Sequence, residues 1–118
     1  MSGHSYSDAE PPPHAGKIAV WPLVIQDVEE IYAPSLLRDR FIAEVRSRNV
    51  DGIAKYGTPL QTHNGRNPLV DAFQEAMDLT VYLRQAVEEG HPVLSLYAPA
   101  RGLALGLLAQ LISSERAP

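Results

Sequence analysis

There is no cysteine in this chain of 118 residues, which excludes disulfide bonds, thiolate nucleophiles and cysteine-type zinc sites at once. Long apolar runs are missing too. The longest, "LALGLLAQLI" at residues 103–112, is about half of the ~20 residues that span a bilayer, so neither a transmembrane segment nor a membrane partner is expected. Positive charge is in deficit, with ten Lys and Arg against 14 Asp and Glu and a formal net charge of -4. That balance argues against a polymeric nucleic acid as partner. The opening "MSGHSYSDAEPPPHAG" has neither the basic start nor the apolar core of a signal peptide, and a cytoplasmic location follows as the expectation. No Gly-rich phosphate loop and no Ser-His-Asp arrangement is visible. His4, His14, His63 and His91 are too dispersed to form a ligand cluster.

What is present is a hydrophobic content of 45% with 20% charged residues, the composition of one soluble globular domain. Residues 1–16 read as a flexible leader and 17–118 as a single helical domain. Within it, "KIAVWPLVI" is β-branched but interrupted by Pro22, so residues 17–34 are expected as an extended arm, with a helical turn or two before Pro34. Trp21 in that arm is a candidate anchor for an oligomer interface or an ordinary core residue. A helix is expected from Leu36 to Tyr56, capped by Ser35 and stopped by Gly57. Its buried side would carry Leu37, Phe41, Val45, Asn49, Gly52 and Tyr56. Beside that side runs a stripe alternating in sign: Glu44, Arg48, Asp51 and Lys55.

The loop "GTPLQTHNGRN" follows, long for a connection between helices and carrying the Asn64-Gly65 turn signal. The next helix is expected to run from Pro68, behind an Asn67 cap, to about Glu89 before Gly90. A last one should cover 98–115, beginning at Ala98 or Arg101. The fold class is therefore all-α: a small bundle of two central antiparallel helices (35–89), a C-terminal helix and an N-terminal arm.

On the helix from Pro68, Asp71, Glu75, Asp78 and Tyr82 fall at about 0°, 40°, -20° and 20° on the helical wheel. Apolar residues flank the acids: Leu69, Ala72, Ala76, Leu79 and Leu83 on one side, Val70, Met77 and Val81 on the other. Carboxylates so placed are expected in an inter-helix groove, where repulsion and lost hydration call for a positive partner. Two partners fit. One is a hard divalent cation, which takes oxygen ligands and leaves positions for water and phosphate, with Glu75 and Asp78 offering oxygens from adjacent turns. The other is Arg48 or Lys55 in an ion pair across a helix interface. Asp71, in the first turns, also suits the helix dipole.

Residues 43–85 carry Lys55-Tyr56-Gly57, Pro59-Leu60, Asn64-Gly65-Arg66, then Asp71, Glu75 and Asp78 followed by Tyr82-Leu83. In that combination the segment resembles phage-encoded MazG-like proteins, the dATP/dGTP diphosphohydrolase type, of the all-α nucleoside triphosphate pyrophosphatase superfamily. The resemblance implies a dimer or tetramer that splits a nucleoside triphosphate into monophosphate and pyrophosphate with Mg²⁺ or Mn²⁺, in the host cytoplasm if phage-encoded. Glu75 and Asp78 match the superfamily's ExxD metal motif. Its EExxE motif has no full counterpart, since the preceding helix offers Glu44 and Asp51 interleaved with Arg48 and Lys55. The implied catalytic and metal set is then Glu75, Asp78 and Glu44, with Asp71 as a further metal ligand. Arg48, Lys55, Asn64, Arg66 and Tyr82 would bind the nucleotide. The incomplete acid set leaves a second reading open, a non-catalytic protein of phage type that sequesters a cyclic or ADP-ribose-type signal nucleotide.

Overall fold

The computed structural model describes residues 5–116. Four helices account for most of them: α1 (Trp21–Ile31), α2 (Leu36–Tyr56), α3 (Pro68–Glu88) and α4 (Leu94–Glu115). The described residues form no sheet, so the all-α expectation stands. Two compact units divide the chain, one of Pro11–Arg66 and the other of the residues up to Glu10 together with those from Asn67 onward.

In the Pro11–Arg66 unit, α2 forms where its caps demand. The Ser35 hydroxyl accepts the Arg38 amide at 3.0 Å, and Gly57 takes the left-handed conformation, φ 76°, that ends the helix. Its buried side chains are Ile42 and Val45, with Asn49 and Gly52 half-buried. Leu37 and Phe41, expected inside, are 81% and 50% exposed. The helix is turned so that Ile42 and Val45 are its buried side chains instead. The expected extended arm is itself largely helical: α1 starts at Trp21, with Pro22 in its first turn. There the missing N–H is no loss and the fixed φ suits a helix, so the proline initiates rather than interrupts. The stretch just before α1 instead lies along the loop after α2. The amides of Lys17 and Val20 donate to the carbonyls of Thr62 and Leu60, and the Thr62 amide donates back to Ile18, all at 2.9–3.0 Å. An isolated antiparallel bridge, Ala19 to Gln61, lies at the centre.

In the other unit α3 packs on α4. Asn67 caps α3 by accepting from the amides of Leu69 and Val70. Beyond its last turn, Gly90 has φ 92°. Val70 and Phe73 of α3 and Leu111 of α4 form the buried core, with Met77, Leu107, Leu108 and Tyr6 packed against it. The Tyr6 ring stands edge-on to Phe73 with centroids 6.5 Å apart, and the Gln74 amide donates to the carbonyls of Tyr6 and Asp8. The expected flexible leader is therefore tied down over its described part; residues 1–4 of that expectation, and 117–118 at the other end, lie outside the described residues. Helix α4 begins at Leu94, earlier than expected, and runs through Pro99. The proline, inside the helix, leaves the Ser95 carbonyl without its helical donor. The earlier start makes α4, by length and composition, long and apolar enough to cross a membrane, with mean hydropathy 1.2 and 17% of its apolar window buried.

Candidate functional site

Helix α3 positions the carboxylate stripe. Asn67 and Pro68 fix the helix start and hence the angular register, which leaves Asp71, Glu75, Asp78 and Tyr82 within about 60° of arc. Phe73 sets which way that arc faces. It lies in the core that α3 shares with α4, beside Val70 and Leu111, and the buried residues of α3, Val70, Phe73 and Ala76, are centred on the wheel roughly opposite the acids. The acids therefore point away from α4. Glu75 and Asp78 are exposed and Asp71 is half-buried. Tyr82 is 65% exposed, between the likewise exposed Leu79 and Val81. Among the described residues no three His, Asp or Glu side chains converge into a group able to hold a metal ion.

The other candidate residues belong to the Pro11–Arg66 unit. Glu44, Arg48 and Lys55 stand exposed on α2, with the Lys55 ammonium 5.1 Å from the centroid of the Tyr56 ring. Asn64 is the one buried polar residue among those described, at 7% exposure. Its side-chain oxygen accepts the Arg66 amide at 3.2 Å, and its carbonyl accepts the His14 amide at 2.9 Å. Gly65 turns with φ 86° directly under the His14 ring, where a Cβ would meet Nε2 at 2.6 Å. The Arg66 guanidinium donates to the Pro11 carbonyl at 2.9 Å. In this structure Asn64, Gly65 and Arg66 thus hold the loop to the segment before α1.

Two groupings were not singled out from the sequence. Arg84 of α3 and Arg101 of α4 both lie over the Tyr97 ring, at 6.0 and 5.1 Å from its centroid. Their separation along the chain hides this, because only the α3–α4 pairing brings them together. The Tyr6 hydroxyl donates to Glu115, and that bond, aided by desolvation and the carboxylate's charge, raises the phenol from 10.0 to about 12.

Comparison with family models, with curated proteins and with solved structures finds no match. The resemblance over residues 43–85 rests on its own residues.

Proposed function

We propose that this protein is a metal-dependent nucleoside triphosphate pyrophosphohydrolase, releasing a monophosphate and pyrophosphate. The observation that carries the reading is the register of Asp71, Glu75 and Asp78 on one outward face of α3, inside the segment that resembles the MazG-like proteins. The donor set is all oxygen, which suits a hard cation such as Mg²⁺ or Mn²⁺. Glu75 and Asp78 would hold such a cation directly, with Asp71 reaching it directly or through a water, and the triphosphate and a second copy would complete the site. When bound, such a cation would supply positive charge to offset that of the phosphates.

The chain's own residues do the rest. Glu75 and Asp78 present oxygens from adjacent turns, and Asp71 adds one from the preceding turn, directly or through a water. Tyr82, a turn beyond Asp78 on the same arc, offers a flat ring for the base. Such a face is open on one side, and a homo-oligomer that closes it completes the pocket.

The test is chromatography of triphosphates and cyclic dinucleotides incubated with the protein and Mg²⁺ or Mn²⁺, beside Glu75→Gln. Monophosphate and pyrophosphate should appear with the wild-type protein and fall at least about a hundredfold in the variant, as expected when a group that stabilises transition-state charge is removed. A nucleotide depleted from solution and returned intact on heating would sink the hydrolase reading and make the protein a sequestering one.

A further inference from the structure

Helix α2 carries a pattern that its own chain does not use. Glu44, Arg48, Asp51 and Lys55 are spaced by four, three and four residues, with signs that alternate from acid to base. All four are exposed, and among the described residues none of them forms an ion pair. Spacing of four and three keeps side chains on one seam of a helix, the arrangement that packs against another helix. Read from the opposite end, the spacing is unchanged and every sign is reversed.

A stripe with that symmetry is complementary to itself turned end for end. We propose that α2 pairs antiparallel with α2 of a second copy across a twofold axis, in the register that sets Glu44 against the partner's Lys55 and Arg48 against the partner's Asp51. The twofold repeats each pair, so four opposite-charge contacts form and no like charges face each other. A parallel pairing in register would set like against like along the whole seam.

The surroundings of the stripe suit close approach. Ser47, Gly52 and Ala54 flank it, and a Cβ at Gly52 would meet nothing within 4 Å, so the residues beside the charged seam are small. The same seam continues in the N-terminal direction to Phe41 and Leu37, 50% and 81% exposed. Both line an apolar groove of about 360 Å³ with Val28 and Tyr32. Antiparallel pairing brings the partner's chain past Gly57 over this groove at both ends of the interface, giving the apolar burial that charge pairs alone lack. Glu44, Arg48 and Lys55 then serve assembly, not the nucleotide.

Sedimentation of the full chain tests it, with two single variants measured separately and mixed, and circular dichroism as the check that each variant is folded. Glu44→Lys sets lysine against lysine twice in its own dimer, and Lys55→Glu sets glutamate against glutamate. Each should weaken self-association about tenfold, a modest sum of exposed-pair effects. Mixed, the two restore every contact and should form a one-to-one heterodimer more readily than either self-associates. Arg48→Asp with Asp51→Arg provides a second complementary pair should either first variant fail to fold. A monomeric wild type, self-association unchanged in the single variants, or variants that do not recover on mixing would each overturn the proposal.

Discussion

At the scale of single residues, two side chains report on how well the structure satisfies its polar groups. The Asn49 side-chain oxygen is buried on α2 without a hydrogen-bond partner, and such a group costs about 1–3 kcal/mol of desolvation. Asn49→Leu removes it and should raise stability by about 1 kcal/mol, read as an upward shift of the thermal midpoint; a fall would show that the amide has a partner in the assembled protein. Tyr6 makes a pH prediction. Folding favours its protonated form, because only the phenol can donate to Glu115, and its pKa is raised from 10.0 to about 12. The stability this contact gives is complete below about pH 10 and is lost as pH rises toward 12. Denaturant midpoints at pH 9 and pH 11.5 should diverge more for the wild type than for Tyr6→Phe. Equal divergence would show that the hydroxyl does not make the bond.

At the scale of elements, what was legible in the sequence is what local chemistry decides. The bounds of α2 and the start of α3 could be read because Ser35, Gly57 and Asn67-Pro68 act within a turn of themselves. Pro22 misled because the effect of a proline depends on position: it opens α1. The acid stripe's register was legible, but its direction was not. That depends on which face of α3 meets α4, and Phe73 decides it through a contact with a helix far along the chain. The pairing of residues 14–20 with the loop was hidden for the same reason. Gly16 tests that pairing, since a Cβ there would stand 1.9 Å from the Thr62 carbonyl oxygen. Gly16→Ala should therefore separate the strands, speeding amide exchange at Lys17, Val20 and Thr62 together by tenfold or more, about 1.4 kcal/mol of local opening. Unchanged exchange would mean the backbone yields without breaking the pairing.

At the scale of the whole molecule, the imbalance between buried and exposed apolar groups dominates. Among the described residues eight apolar side chains are buried, none of them large and fully enclosed, while Ile31, Leu36, Leu37, Val50, Leu94 and Leu105 are each more than 60% exposed. Single exposed apolar residues are ordinary, and both readings proposed for this chain place part of that surface against a second copy. Assembly is thus common ground for the hydrolase and for the α2 pairing: the first needs a second copy to close an open face, and the second specifies one such contact.

The pairing around Thr62 also sets an order of events. Gly16, whose amide donates to the Gln61 side chain beside that pairing, is 45 residues from it in the chain, so the segment before α1 lacks these partners until the loop after α2 has been made. At ~5–20 residues per second that wait is on the order of several seconds. Both helices of the unit can form long before then, because helix formation takes about a microsecond. During synthesis the extended segment is the last part of its unit to find its place, and the closing of a ring of chain around finished helices completes that half of the protein.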